Sequence, residues 1–252
     1  MKLLQVIVSN AGFRNLDHNP VRLKVLDRLL GVARENGVDL VMLPGGYFTA
    51  AGVAAVPDVI AEVERRAVAA DVAVIGGVDA VGVDGSHDPK RAGKTVALPD
   101  LPFYGFAVGP VMPAVAGTDW KQTSSTGENA AEVADDAVPG ESRVVDVAGW
   151  RVGVLICGEL FSRWAREAFA TAYLKLVLDL GHESMGTGVT RAMENIAVNG
   201  GCAVAHTHHV APHSGGSLHF VRRDGVRESV PLAECESIGD AEFWIAWRFR
   251  EV

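Results

Sequence analysis

The residues best equipped for covalent chemistry lie in VGVLICGELF, residues 152–161. An apolar run that reads as a buried strand ends on Cys157, followed by Gly158 and Glu159. A thiol at the end of a strand and just before a helix sits near unpaired backbone N–H groups, where the nucleophilic thiolate is favoured. Gly158 suits a sharp strand-to-helix turn and lets a ligand approach the backbone closely. Cys157 also has a plain structural reading, because free cysteine is among the most buried residue types. Cys202, inside an apolar run, and Cys235, between two glutamates, read in that second way.

Six of the eight histidines fall between residues 182 and 219, among them His206, His208 and His209 in AHTHHV. Histidine pairs can bind zinc, but no cysteine or carboxylate stands at ligand spacing beside these three. They are read as surface turn residues, and neither a metal nor another cofactor is expected. The chain carries 23 Lys and Arg against 31 Asp and Glu, a net charge of -8, with no basic stripe to follow a phosphate backbone. Nucleic acid is therefore not an expected partner; a small molecule is. No window approaches the roughly 18 apolar residues of a membrane span, and MKLLQVIVSNAG reads as a first strand rather than a secretory leader. Three widely spaced cysteines argue for a reducing, cytoplasmic setting.

The elements that must position Cys157 follow from hydrophobic period and punctuation. Residues 2–8 form a strand; Asn19 and Pro20 then cap and open a helix with Val25, Leu26, Leu29, Leu30 and Ala33 on one face, stopped by Gly37. A compact strand at 39–43, a helix opened by Pro57 and Asp58, and a strand at 72–76 complete a β-α-β-α-β order. After turn-rich residues 83–93, strands are expected at 94–98 and 102–108, and then a polar connection over 109–140. The alternation restarts with strands at 151–157, 175–180 and 202–207, separated by helices at 161–172 and 188–199. Strands at 216–221 and 226–231 flank Arg223-Asp224-Gly225, a hairpin turn with glycine where φ is positive, and a last strand covers 242–247. Two similar halves imply two sheets packed back to back, each covered by helices, in a single domain over 1–252.

RVGVLICGELF, followed by RAMENIAVNGGCAVA and then SGGSLHFVRRDG, resembles the nitrilase superfamily of carbon–nitrogen hydrolases over nearly the whole chain. The resemblance implies an α/β fold, a four-layer α-β-β-α sandwich with two mixed sheets, and association as a homodimer or higher homo-oligomer. It implies acyl transfer: Cys157 attacks an amide or nitrile carbon, and Lys121, in DWKQTSSTGEN, stabilises the developing oxyanion. Glu128 stands where a second assisting glutamate is found, and Arg191, Glu194 and Asn195 match helix residues that fix packing by internal hydrogen bonds. Lys121 and Glu128 also read simply as solvated residues of a polar connection.

One position departs from the pattern. The family's second strand ends in Pro-Glu, whereas this chain reads VMLPGGYF, with Gly45 in place of the general base. A carboxylate's volume is left empty there, open to water, a different ligand or a group reaching in from elsewhere. Glu128, Glu159 and His182 are the candidates, His182 lying in LDLGHES after the strand that follows the Cys157 unit. Glu159 reads better as a brace for the Cys157 turn, and His182 as a solvated loop residue unless it meets the sulfur. Two functions stay open: a divergent thiol-dependent hydrolase of a small amide, or a degenerate member that keeps the fold for binding or assembly.

Overall fold

The computed structural model describes residues 1–10, 15–81, 103–113, 119–121, 141–183, 187–210, 215–239 and 243–252. The expected turn-rich segment at 83–93 and the strand at 94–98 lie outside them. The first half runs β1 (Lys2–Asn10), α1 (Asn19–Glu35), β2 (Leu40–Met42), β3 (Phe48–Ala51), α2 (Val56–Ala70), β4 (Ala73–Val81) and β5 (Phe103–Val108). Two short strands, β6 (Val111–Pro113) and β7 (Asp119–Lys121), fall where a polar connection was expected. The second half runs β8 (Val144–Val147), β9 (Trp150–Ile156), α3 (Arg163–Thr171), β10 (Leu176–Glu183), α4 (Thr187–Gly200) and β11 (Ala203–Val210). Four further strands follow: β12 (Ser217–Val221), β13 (Arg227–Pro231), β14 (Glu236–Gly239) and β15 (Phe243–Glu251).

Each half is built on a parallel core, β1-β2-β4 in the first and β9-β10-β11 in the second, as strand-helix-strand crossovers require. Antiparallel strands extend both: β5 pairs β4, β15 pairs β1, β8 pairs β9, and β12 pairs β11. The two parallel cores join where β1 meets β11 at Val8–His209 and Ser9–Val210. The apolar clusters reveal the layers. Leu40, Met42 and Ile75 of the first half share one buried cluster with Val154, Ile156, Leu178 and Ala205 of the second, so the two inner faces meet. Leu26, Leu29 and Val63 cover the outer face of the first half, and Phe169, Met193 and Ile196 that of the second. This is the expected helix-sheet-sheet-helix order.

Local chemistry explains the boundaries. Pro20 and Pro57 open α1 and α2, where a missing N–H costs nothing. Asn19, expected as a cap, is used differently: its amide exchanges hydrogen bonds with the Thr49 backbone and ties the start of α1 to β3. At the hairpin joining β12 and β13, Gly225 has φ +82°, the left-handed conformation that the turn demands. No helix among the described residues is long and apolar enough to cross a membrane.

Candidate active site

β9 delivers Cys157 to the end of its run, and the chain then tightens into a 3-10 turn over Cys157–Phe161. Cys157 itself has φ +50°, a left-handed conformation that costs a residue with a Cβ energy and persists only where its surroundings enforce it. Glu159 supplies the enforcement. Fully buried, it accepts the Ile156 N–H at Oε2 (2.8 Å) and the Arg143 guanidinium at Oε1 (2.8 Å), and so closes the turn from behind. Both carboxylate oxygens are thereby committed, so Glu159 is a brace. Gly158 is buried within the same turn.

His182 is not in a loop. β10 continues through it, with an irregularity between Leu180 and Glu183, and the imidazole is buried between the two sheets. Its Nε2 donates to Asp79 Oδ1 at 2.8 Å, and Phe103 packs on the ring with centroids 4.5 Å apart. Asp79 comes from β4 in the opposite sheet and is itself only 1% exposed. Burial alone would drive the proton off His182. Asp79 and then Cys157 outweigh it, through charge and hydrogen bonding, and hold the imidazole up to about 10. A thiol, an imidazole and a carboxylate from β9, β10 and β4 thus converge where the parallel strands end.

Gly45 explains how the imidazole fits. A Cβ at Gly45 would stand 2.6 Å from Leu180 O, 3.0 Å from His182 Cε1 and 3.1 Å from His182 Nδ1. The space that a side chain at Gly45 would need is therefore occupied by the Leu180 carbonyl and the His182 ring. Gly46, at φ +63°, does the same for Asp79: a Cβ there would meet Oδ2 at 2.5 Å. The Pro44-Gly45-Gly46 turn is stitched to the second sheet, since Gly45 N–H donates to Gly181 O at 3.1 Å and His209 Nε2 donates to Gly45 O at 2.8 Å.

Sequence reasoning missed Asp79. Its signal is an acid inside the apolar strand AVIGGVDAV, just past the point where that strand was expected to end. Lys121 ends β7, where its register partner is Tyr104 of β5; its side chain and Glu128 lie outside the described residues.

Several other expectations are corrected. His206, His208 and His209 are not surface turn residues; all three lie on β11 and are buried, because both faces of that strand are covered. On the outer face, His206 Nδ1 lies 2.6 Å from Asp179 Oδ2, and the His206 and His208 rings stack with centroids 5.0 Å apart. Burial pushes His206 down to about 3 and Asp179 well above the usual carboxylate range, with Glu159 adding to the latter. Arg191 and Asn195 are exposed on α4, and Glu194 pairs with Arg227 at the surface rather than inside. No group of three or more possible ligands is arranged to hold a metal among the described residues.

No family model matches this sequence, and no curated protein matches it. The backbone does have counterparts. It is similar to a cysteine-to-alanine variant of the Nesterenkonia AN1 amidase from the nitrilase superfamily, with TM-score 0.61 and 14% identity over 98% of this chain and 90% of that one. A cysteine-to-alanine variant of the amidase from Nesterenkonia sp. AN1 in complex with butyramide matches with TM-score 0.60, 14% identity and the same coverage. A glutamate-to-glutamine variant of that amidase, carrying acrylamide added at its active-site cysteine, matches with TM-score 0.58 and 15% identity over 98% and 92%. The fold is the nitrilase-like α-β-β-α sandwich.

Proposed function

We propose that this protein is a thiol-dependent carbon–nitrogen hydrolase, a divergent member of the nitrilase superfamily in which His182, oriented by Asp79, replaces the usual glutamate base. The observation that carries this reading is the convergence of Cys157, His182 and Asp79 beside a glycine that makes room for the ring. Nucleophile, base and orienting carboxylate in that sequence of contacts are the general requirement for an activated cysteine. With Nε2 committed to Asp79, Nδ1 is the nitrogen left to exchange a proton with the sulfur.

In this proposal the sulfur attacks the carbonyl carbon of a small amide while the proton resides on His182. As the tetrahedral intermediate collapses, the imidazolium protonates the leaving amine, the C–N bond breaks and a thioester remains on Cys157. The neutral imidazole then takes a proton from water, whose oxygen adds to the thioester. Collapse returns the sulfur, releases the acid and leaves the proton on His182. Lys121, as the resemblance implies, meets the oxyanion. Small aliphatic amides are the first substrates to examine, because the structurally similar amidase is seen with butyramide. A homodimer belongs to the same proposal.

The test is iodoacetamide labelling of Cys157 from pH 5 to 9 alongside a panel of aliphatic amides, using wild type, His182→Ala and Cys157→Ala. Rapid labelling already at pH 6, lost in His182→Ala, with hydrolysis of at least one amide, is the expected result. Labelling that climbs with pH like an ordinary thiol of about 8.5 would sink the activated-cysteine reading. Fast labelling without turnover of any amide would favour the degenerate, ligand-binding alternative.

A further inference from the structure

Arg22 is a buried cation at the junction of α1 and β3. It sits on α1 at 0% exposure, and its NH1 donates to Thr49 Oγ1 (3.0 Å), Asn19 Oδ1 (3.1 Å) and Asn15 O (3.2 Å). All three acceptors are neutral. The junction they occupy is already closed by the reciprocal Asn19–Thr49 hydrogen bonds. Burying a guanidinium costs several kcal/mol unless an opposite charge compensates. Thr49 is the register partner of Asp79 across β3 and β4, which puts the Arg22 head beside the carboxylate that holds His182.

We infer that Arg22 is a positioning residue acting through Asp79, the far end of a buried row of alternating charge: Arg22 guanidinium, Asp79 carboxylate, His182 imidazolium, Cys157 thiolate. This rests on the function proposed above. The row is neutral as a whole, whereas without Arg22 it would carry a net negative charge between the sheets. The least costly relief would be a proton added at the Cys157–His182 end. Arg22 therefore helps set the pH range over which His182 stays charged against Asp79 and the sulfur.

Lys121, in the role proposed above, adds its charge at the opposite, Cys157 end of the row, and Arg143 is paired with Glu159; the described titratable groups nearer Arg22 do not supply that cation. Tyr47, whose hydroxyl donates to Arg22 O at 3.1 Å, has its phenol pushed upward, by burial first, and stays neutral. His209, on β11, is driven down to about 3 by burial and by the neighbouring His182 charge, and stays neutral while donating to Gly45 O. Asp27, one turn and a half further along α1, contributes only negative charge near Tyr47. Arg22 itself is lowered by burial to about 10, with Tyr47 and Asp79 opposing the fall, and remains charged through neutral pH.

The experiment is the pH profile of Cys157 alkylation by iodoacetamide in wild type, Arg22→Lys and Arg22→Gln, with folding followed by circular dichroism. Arg22→Gln is expected to move the acid limb upward by up to about one pH unit, a loss of labelling of up to roughly tenfold on that limb, since a charge in direct contact shifts a titration by about one to three units and Arg22 acts from one residue further away. Arg22→Lys, which keeps the charge, should restore the wild-type limb. A folded Arg22→Gln with an unmoved limb, or a folded Arg22→Lys that behaves like Arg22→Gln, overturns the inference. If Arg22→Gln fails to fold, adding Asp79→Asn is expected to restore folding by removing the uncompensated carboxylate, and a double variant that also fails overturns it. A wild type with no activated thiol refutes the proposed function instead, so the two failures are distinct.

Discussion

Gly45→Ala adds one methyl group and tests whether the glycine is a lost catalytic residue or a made space. The new Cβ would lie 2.6 Å from Leu180 O, whereas carbon and carbonyl oxygen ordinarily approach to about 3.3–3.6 Å. The overlap is roughly 0.7–1.0 Å, and Leu180 cannot relax alone because β10 is paired with β9 on one side and β11 on the other. The softer neighbour is the His182 ring, 3.0 Å away, but Asp79 holds its far nitrogen. Overpacking of this kind costs about 1–3 kcal/mol, and in the role proposed for His182 a displacement of about 1 Å costs on the order of 10²-fold in rate. Urea denaturation should show a lower midpoint, and iodoacetamide labelling at pH 7 should slow by about that factor. Gly45→Glu introduces the residue type that the nitrilase resemblance implies at this position yet carries the same Cβ, so no gain of amidase activity is expected from it. A Gly45→Ala protein with wild-type stability and labelling would refute the reasoning, because it would show that the ring does not depend on the space the glycine leaves.

Asp79→Asn removes the charge that most strongly supports the imidazolium, so under the proposed function amide turnover should fall by about 10²–10⁴, with the optimum moving to lower pH as His182 loses its proton more easily; a kcat profile checks both. Arg143→Ala strands Glu159 as a buried, half-satisfied carboxylate, and a loss of about 3–5 kcal/mol is expected in urea unfolding. Acid should destabilise the fold through β11 and β12. His206 is held at about 3 and His219 at about 4 by burial, and His208 well below its ordinary value, so from about pH 6.5 downward the unfolded chain binds protons that the folded chain refuses. His182 contributes in the opposite window: its stabilisation is complete below about 6.5 and is lost as pH rises toward about 10. Neither ring nitrogen of His208 has a hydrogen-bond partner among the described residues, so His208→Leu should fold and flatten the acid side of a urea-midpoint profile between pH 7 and 4.

Local pattern determined much of this molecule. Alternating strand and helix periods predict two similar halves, and prolines at 20 and 57 mark where α1 and α2 begin. The apolar run before Cys157 predicts a thiol at a strand end, and Glu159 reads as a brace because it stands within reach of the turn's own backbone. These are readings over a few residues, where chain connectivity fixes the neighbours. Tertiary packing decided what lies across the sheets. Asp79 and His182 are 103 residues apart and meet only because β4 and β10 end on facing sheets, so nothing near either residue announces the other. The histidines of β11 look like surface groups in sequence because imidazole is polar; they are buried because helices and strands cover both faces of that strand. Gly45 shows the division most sharply. As a letter it reads, by resemblance, as an absent base, and only the packed sheets show that an imidazole lies against the space its side chain would need.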